Sequence, residues 1–467
     1  MTAETSAGRS RLNAFQRLMY QWSQLHPYNA VHVHKLSGPL RLKSLREAIV
    51  QTYRQYGLGL VHISDDGTWY SHELATTPEV QVLLPGDNPQ QTLGTYVSGE
   101  LNRPFSRPRC QPVRYFVMEA GPESHYLGTT YDHWTADSIS LRMVLGRVLD
   151  HYFGQSSPEN ETPLQLYPQS YRYLFPDRLR IARLAPAVLR CFRRWLVERS
   201  AAQVPYASTA QPAVDFHGHR AASGTVARLR GFAASQGASV NDVFLAALAR
   251  ATAACLPHRT LQNSGALAMG CIVNTRGAAQ QDLAHSLGMF LAYYTVRLGV
   301  EKTHSLAEAT QQIAAVTREI KARRSYLDSL VSMKFVSTLW PYMSEKIRPH
   351  FMRKGVRLSA GISNVLLRDL PIAREGAGCI LECFRAAPTG PMLPLVLAPT
   401  TLGEELSVGV TYRTTGYSAR KVDDLMGSFL EQIENPEGLT RGRRDRGSAA
   451  VARAAADAVC SPQAVSG

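Results

Sequence analysis

Hydrophobic residues follow two different periods along this chain, and segments of the two kinds are interspersed. Spacings of three and four residues predict helices, whereas strict alternation predicts strands with one buried face. Helices are predicted over residues 10–25, 41–56, 138–152, 177–200, 225–235, 240–254, 306–325 and 418–433. Strands are predicted over residues 28–36, 59–63, 68–72, 80–84, 114–120, 125–131, 266–273, 291–300, 380–386, 393–398 and 405–413.

A chain of 467 residues is longer than a domain with a single hydrophobic core, and this length predicts two lobes. We place an N-terminal lobe at 1–175, a basic helix with an inter-lobe linker at 176–222, and a C-terminal lobe at 223–434. Residues 435–467 are rich in Arg, Ala and Gly without apolar periodicity, and we expect this tail to be disordered. No apolar run reaches the length of about 18 residues that spans a membrane, so no transmembrane helix is expected.

The predicted helix at 177–200 carries seven arginines among large apolar residues, and Pro186 should kink it. Three interpretations remain open for this segment. It is an ordinary surface helix, it lies on anionic lipid as a peripheral membrane contact, or it covers a site as a lid.

Charge and cysteine usage limit the possible partners and the compartment. The net charge of +14 favours anionic partners such as an acidic carrier protein or a phosphorylated cofactor, although a basic surface can also reflect genome composition. Nothing resembles a nucleic-acid-binding module, so no nucleic acid partner is expected. The seven scattered cysteines and the absence of a secretory pattern at the start predict a cytoplasmic protein with reduced thiols. Cys379 and Cys383 form the only close pair, and we expect no metal site there.

The candidate chemistry lies directly after the strand predicted at 125–131. His133 follows this strand on a loop, and Asp137 comes four residues later. A histidine at a strand end can face a cavity as a general base, and the aspartate can lock the loop through a buried ion pair. On another predicted strand, His32 and His34 share one face, which we assign to a polar surface or the cleft rather than to a metal. The sequence contains no Gly-x-Ser-x-Gly elbow, phosphate-binding glycine loop or dinucleotide fingerprint.

Segments along nearly the whole chain resemble the superfamily of thioester-dependent acyltransferases. This superfamily includes the condensation domains of nonribosomal peptide synthetases, wax ester synthases, and plant-type acyltransferases with a His-x-x-x-Asp site. The resemblance lies in residues 12–20, 28–29, 36–40, 53–58, 112–114, 239–247, 273–276, 287–290 and 361–365. It implies an α+β fold of two similar chloramphenicol-acetyltransferase-like lobes, each a mixed β-sheet flanked by helices. The lobes would form a V with a central tunnel, and His133 would lie where the donor and acceptor entrances meet.

Two positions depart from the condensation pattern of two histidines and a glycine after the aspartate. Asp132 replaces the first histidine and Ser138 replaces the glycine. The second signature of the plant-type branch is absent, so the chain looks nearer to condensation domains and wax ester synthases. It carries no carrier-protein or adenylation segment, and we expect it to act as a free-standing enzyme.

The resemblance also implies a role for each residue of the site. His133 would be the catalytic base, and Asp137 would hold the loop by an ion pair with Arg54, or failing that with Arg114. Trp134 would pack under the loop or line the tunnel, and Asp132 is a possible neighbour of the imidazole. The candidates for stabilising the oxyanion are Ser138, Ser363 and Asn364.

The expected reaction moves an acyl group from a thioester to a hydroxyl or amine acceptor and forms an ester or amide. The co-substrate would be a phosphopantetheine thioester on an acyl or peptidyl carrier protein or on coenzyme A, with the carrier slightly preferred and no tightly bound cofactor. The apolar segment 330–353 and the basic helix hint at a lipid-like or long acyl substrate. The alternative is a degenerate, non-catalytic relative that binds acyl carriers.

Overall fold

The chain folds into two lobes, each built on a mixed β-sheet with helices packed against it. The structure is a computed structural model that describes residues 10–65, 67–73, 78–154, 165–166, 171–176, 181–207, 213–303, 305–355, 357–367 and 379–438. The two-lobed α+β fold expected from the sequence is confirmed. Among the described helices, none is both long enough and apolar enough to cross a bilayer.

The helices are α1 (Ala14–Trp22), α2 (Leu42–Tyr56), α3 (Pro89–Asn102), α4 (Ser138–Phe153), α5 (Tyr171–Leu174), α6 (Ile181–Glu198), α7 (Thr225–Ser235), α8 (Val240–Cys255), α9 (His258–Ser264), α10 (Leu306–Ala322), α11 (Asp328–Leu339), α12 (Ile347–Gly355) and α13 (Ala419–Glu434). Short 3-10 helices lie at Arg276–Ala278, Val300–Thr303, Ser325–Leu327 and Trp340–Tyr342.

The strands are β1 (Ser10–Arg11), β2 (Asn29–Ser37), β3 (Leu60–Ile63), β4 (Trp69–Glu73), β5 (Val80–Leu83), β6 (Arg109–Cys110), β7 (Val113–Gly121), β8 (Ser124–Asp132), β9 (Gln165–Leu166), β10 (Val214–Arg220), β11 (Ala266–Asn274), β12 (Ser286–Leu287), β13 (Leu291–Gly299), β14 (Ala360–Ile362), β15 (Val365–Leu367), β16 (Ile380–Ala386), β17 (Leu395–Leu402) and β18 (Glu405–Arg413).

The N-terminal lobe is built on a five-stranded sheet in the order β16-β2-β8-β7-β5, and it also contains a four-stranded sheet in the order β1-β4-β3-β6. Apolar residues of α2 and α4 pack on one face, where Ile49 and Leu145 meet Leu127. On the opposite face, Val97 of α3 packs with Val33 of β2. The sheet is therefore covered on both sides, which explains why β8 is buried along almost its whole length.

The C-terminal lobe is a larger sheet in the order β10-β18-β17-β14-β11-β13, with β15 paired to β17. Its main core joins the sheet to α7, α8, α10 and α13, and α8 is the most deeply buried of these helices. Ser239 caps α8 by accepting a hydrogen bond from the Asp242 amide at 3.3 Å, and the Asp242 carboxylate accepts from the Ser239 amide at 2.9 Å. This reciprocal cap fixes the start of the helix that fills the centre of the lobe.

One strand of the C-terminal half crosses to the other lobe. β16 pairs antiparallel with β2, and Arg385 lies opposite His32 in this register. Because β2 also pairs with β8, the crossing strand brings residues from the end of the chain next to the strand that carries the His133 loop.

The sequence prediction differs from the structure in several segments, including β10 and α3. The predicted linker includes β10, which pairs with β18 along seven residues and therefore belongs to the C-terminal sheet. The helix α3 was missed, although Asn88 caps it and Pro89 occupies its first turn. Of the predicted basic helix, residues 181–198 are helical through Pro186, and 177–180 lie outside the described residues. Almost all of the predicted disordered tail also lies outside them.

Candidate active site

The loop that carries His133 is held at both ends. β8 ends at Asp132, and the backbone amide of His133 donates a hydrogen bond to the Tyr28 carbonyl at 3.1 Å. At the other end, Asp137 caps α4, because its Oδ1 accepts from the Ser140 amide at 2.8 Å. The four-residue spacing of the motif is thus the distance from a strand end to a helix N-cap.

Asp137 forms a buried ion pair with Arg276, which comes from the C-terminal lobe. The Nη1 of Arg276 lies 2.7 Å from Oδ2, and its Nη2 lies 3.1 Å from Oδ1. Oδ2 also accepts from the Phe290 amide at 2.9 Å. Burial alone would raise the pKa of Asp137, but Arg276 and these amides hold it below its ordinary value.

The predicted partners of Asp137 are therefore wrong. Arg54 is exposed on α2, and Arg114 instead binds Glu100, with its Nε 2.7 Å from the carboxylate. The actual partner lies 139 residues away in sequence and reaches Asp137 only because the lobes meet here. Arg276 belongs to the segment 273–276 that carried the family resemblance, and this was the one signal in the sequence that pointed to it.

Asp132 and Trp134 form a support beneath the loop rather than a wall of the cavity. Asp132 is buried and lies 2.6 Å from Nη2 of Arg107, and it accepts from the Trp134 indole at 2.9 Å. Trp134 is fully buried and makes edge contacts with the rings of Tyr20 and Tyr70. The residue that replaces the first histidine of the condensation pattern is thus engaged by Arg107 and Trp134.

A cavity of about 310 Å³ lies at the junction of the lobes, and His133 lines it. The N-terminal lobe contributes Tyr28, His32, Tyr131, Ser138 and Arg142. The C-terminal lobe contributes Asn274, Tyr293, Ser363 and Asn364, and the crossing strand β16 adds Arg385 beside His32. All three predicted oxyanion candidates therefore line the same cavity as His133.

The environment of His133 keeps its imidazole neutral. Burial lowers its pKa to about 4; its own backbone carbonyl and Asp137 oppose this effect, whereas Arg385 adds to it. The ring lies against Tyr28 and Tyr131, with centroid distances of 5.6 and 5.3 Å. An imidazole that is neutral at physiological pH can accept a proton from a group that enters the cavity.

A second cavity, of about 410 Å³, lies under α6 and has almost entirely apolar walls. α6 contributes Val188, Phe192 and Trp195, and α11 contributes Val331, Phe335 and Val336. Trp22, Tyr293, Met333 and Met392 line both cavities, so the two spaces adjoin. Arg190 anchors α6 through two hydrogen bonds of 2.7 and 2.9 Å to Asp328.

The basic residues of the cavity other than His133 were not assigned a catalytic or binding role from the sequence. His32 was expected on a polar surface or in the cleft, and it lines the cavity. Arg142 follows one turn after the start of α4, and Arg385 lies on the crossing strand β16. The position of Arg385 depends on the crossing of β16, for which local sequence carries no signal.

Comparisons with known proteins agree with this architecture. The condensation domain model matches residues 7–332, whereas a comparison with curated proteins finds no match. The trichothecene 15-O-acetyltransferase from Fusarium sporotrichioides has a TM-score of 0.70 at 12% identity, covering 91% of this chain and 95% of that chain. The first condensation domain of the calcium-dependent antibiotic synthetase, solved with a substrate analogue, has a TM-score of 0.65 at 15% identity, covering 92% and 97%.

A third similar structure is a mutant of the starter condensation domain of rhizomide synthetase, in complex with C8-CoA and Leu-SNAC. Its TM-score is 0.64 at 15% identity, and the match covers 91% of this chain and 94% of that chain. At such identities the likeness shows the fold, while the family model covers most of the chain. From its sequence and its two-lobed fold, this chain belongs to the condensation domain family.

Proposed function

We propose that the protein is an acyltransferase that moves an acyl group from a phosphopantetheine thioester to a hydroxyl or amine acceptor, with His133 as the general base. The observation that carries this proposal is a neutral imidazole on the wall of a cavity that both lobes line. General base assistance of this kind contributes about 10²–10⁴-fold to the rate.

In the proposed reaction, the acceptor oxygen or nitrogen attacks the thioester carbonyl while His133 takes its proton. The carbonyl oxygen becomes an oxyanion, for which the Ser363 hydroxyl, the Asn364 side chain and the Ser138 region are the candidate donors. The tetrahedral intermediate then collapses and the carbon–sulfur bond breaks. The imidazolium returns the proton to the leaving thiolate, so His133 ends the cycle neutral.

The donor is proposed to be a carrier-protein thioester or an acyl-CoA. Both donors are anionic, and the net charge of +14 suits either one. The similar rhizomide synthetase domain was solved with C8-CoA, and this supports a thioester donor for the fold. Intact-mass spectrometry of candidate carrier proteins, before and after addition of the enzyme and an acceptor, distinguishes the two donors.

The acyl group is proposed to be a long apolar chain, bound in the second cavity. This cavity adjoins the His133 cavity, and its walls carry almost no polar surface. Methylene groups of a chain would bury there against Phe192, Trp195 and Phe335. In this arrangement α6 acts as the cover of the acyl site, one of the interpretations left open by the sequence.

The test is transfer of a labelled acyl group from acyl-CoA and from acylated carrier protein to an alcohol or amine, compared between wild type and His133→Ala. We expect the variant to lose at least about 100-fold in kcat while it stays folded. Equal turnover by both proteins would refute the role of His133. The degenerate, non-catalytic alternative rests on the changed positions 132 and 138, and it predicts thioester binding without turnover in either protein.

A further inference from the structure

One wall of the His133 cavity carries an unusual concentration of positive charge. Arg142 and Arg385 both line the cavity, with exposed fractions of only 8% and 3%. His32 lies opposite Arg385 in the strand register, and its Nε2 is 3.3 Å from the Ser138 hydroxyl. Arg142 donates through Nε to the Ser138 carbonyl at 3.1 Å. We call His32, Ser138, Arg142 and Arg385 the basic wall.

The guanidinium of Arg385 has only neutral partners. It donates to the Thr400 hydroxyl at 3.0 Å, to the Pro399 carbonyl at 3.1 Å, and to the Ser363 carbonyl. Within the described part of the chain, no carboxylate lies within ion-pair distance of it. Burial and the nearby Arg142 lower its pKa to about 10, so it still carries its charge at neutral pH. A buried charge without a counter-charge is costly, and a bound anion would relieve that cost.

Among the described residues, the other groups around the basic wall do not supply this counter-charge to Arg385. The pKa of His32 is held well below its ordinary value by burial, by both arginines and by the neighbouring histidines, so the ring is neutral. His34 is also fully buried, and neither of its ring nitrogens has a hydrogen-bond partner among the described residues. Asp137, the carboxylate of the motif, is already engaged by Arg276.

We propose that the basic wall binds a carboxylate of the acceptor, so that the enzyme acylates hydroxy acids or amino acids in preference to neutral alcohols and amines. Nε and Nη2 of Arg385 already donate to Thr400, Pro399 and Ser363, so Nη1 is the nitrogen that can donate a charge-assisted hydrogen bond to a carboxylate oxygen. The ring of Tyr131 contacts both His133 and His32, at 5.3 and 5.4 Å, so one aromatic ring separates the base from the wall. This separation suits a small acceptor that places its hydroxyl or amine at His133 and its carboxylate at the wall.

This inference rests on the proposed function and is tested with matched acceptors. The pairs are 3-hydroxybutyrate with 3-hydroxybutyramide, and β-alanine with its amide, each with one acyl-CoA donor. We expect wild type to favour the acid by at least about tenfold in kcat/KM, because only the acid forms charge-assisted bonds with the arginines. In Arg142→Gln the ratio should fall towards one, whereas Arg147→Gln, on the same helix outside the cavity, should retain it.

Equal use of the acid and the amide by wild type would overturn the inference. So would a parallel loss for both acceptors in Arg142→Gln, which indicates a structural or oxyanion role. Arg385→Lys is the second variant, because it keeps the positive charge and removes the guanidinium nitrogens that donate hydrogen bonds. If no acceptor is turned over, the catalytic proposal fails, and thermal unfolding with 3-hydroxybutyrate tests the anion site by itself. Stabilisation of wild type, without stabilisation of Arg142→Gln, supports the anion site. No stabilisation in that case overturns both.

Discussion

His133 is the residue on which the chemistry depends, and its environment predicts an unusual pH profile. An imidazole with a pKa of about 4 stays neutral through the range in which an ordinary histidine becomes protonated. A base must be neutral to act, so we expect kcat to show no loss from His133 between pH 8 and about 5, and a fall as the pH approaches 4. Acyl-transfer assays in a series of buffers of constant ionic strength measure kcat as a function of pH. An acid limb centred near pH 6.5 would contradict the proposed environment.

The Asp137–Arg276 pair predicts a strong effect on stability, because Asp137 is fully buried, the Arg276 side chain is only 9% exposed, and the two come from different lobes. Removal of one partner leaves an uncompensated charge, and we expect Asp137→Ala or Arg276→Ala each to lower the free energy of unfolding by about 3–5 kcal/mol. The double variant should lose less than the sum of the two losses. Urea denaturation measures these energies.

Arg54→Ala is the matched control for that series, since Arg54 is exposed on α2. Its free energy of unfolding should stay within about 0.5 kcal/mol of wild type. A loss similar to that of Arg276→Ala would contradict the conclusion that Arg276, and not Arg54, is the arginine that stabilises this site.

At single positions, sequence identified the functional residues better than their partners. His133 and Asp137 stood out because a strand pattern ends just before them, and Ser138, Ser363 and Asn364 all reached the cavity. Their contacts across the lobes were not predictable, because no local pattern relates position 137 to position 276. The support role of Asp132 was likewise hidden, since its partner Arg107 lies in a segment without periodicity.

Among the elements, β16 and β18 are in close contact, and this contact predicts a loss of stability when a side chain is added there. A Cβ on Gly409 would lie 2.0 Å from the backbone oxygen of Arg385, and backbone cannot move aside as a flexible side chain can. We expect Gly409→Ala to lose about 1–3 kcal/mol in stability, as overpacked sites do, and to lower activity by displacing Arg385. Thermal unfolding and acyl-transfer rates measure the two effects.

Gly218 provides the control, because it lies directly opposite Gly409 in the β10–β18 register. A Cβ there would meet only the Phe216 ring, at an ordinary 3.7 Å. Gly218→Ala should therefore be nearly neutral in both assays. If the two variants behaved alike, the crossing contact would not be the cause.

The pair of helices α6 and α11 makes a separate prediction about chain length. Val331 lines the apolar cavity, so Val331→Phe should fill part of it. We expect kcat/KM for a dodecanoyl thioester to fall by about tenfold or more relative to an acetyl thioester, which is the scale of discrimination in apolar pockets. Thr338→Phe adds the same ring on an exposed position of α11 and should leave that ratio unchanged. Equal losses for both thioesters would place the acyl chain elsewhere.

Most elements were predictable because their buried faces follow a regular period. α4, α8 and β18 were located within one residue at each end. α3 was missed because its apolar residues are few and widely spaced, with Leu93, Val97 and Leu101 as its buried stripe. β10 was taken for linker because polar residues and glycine alternate with its buried positions, which is typical of an edge strand.

The whole molecule should lose stability in mild acid, because several histidines are buried in neutral form. Burial is the main cause that lowers the pKa of His26, His72 and His133 to about 4 and that of His34 to about 3. Between pH 6.5 and 4 the unfolded chain binds protons that the folded chain does not, so the free energy of unfolding falls as pH falls. Each such histidine contributes a slope of up to about 1.4 kcal/mol per pH unit.

Urea unfolding at intervals from pH 7.5 to 4.5 measures this dependence. His72→Phe removes one of these buried histidines, and it should reduce the slope of the unfolding free energy against pH by the contribution of one histidine. A stability that stayed constant across this range, or a variant with an unchanged slope, would show that these rings are accessible to protons in the folded state.

At the scale of the fold, the sequence predicted the two-lobed architecture but not the pairing of β16 with the sheet of the other lobe. The two lobes and their mixed sheets followed from the family resemblance and from the order of the elements. The strand β16 was predicted as a strand, yet nothing in residues 380–386 indicates which sheet accepts it. That choice is made by the surfaces of β2 and β18, which only the assembled molecule presents.

The crossing of β16 also determines how the polypeptide can be divided. A fragment that stops before residue 380 would leave one edge of β2 open over residues 31–36, where backbone donors and acceptors would lose their β16 partners. Such a truncation should recruit a second molecule or precipitate, rather than yield an independent half. Fragments of this protein that are designed to reassemble must therefore leave β16 uncut.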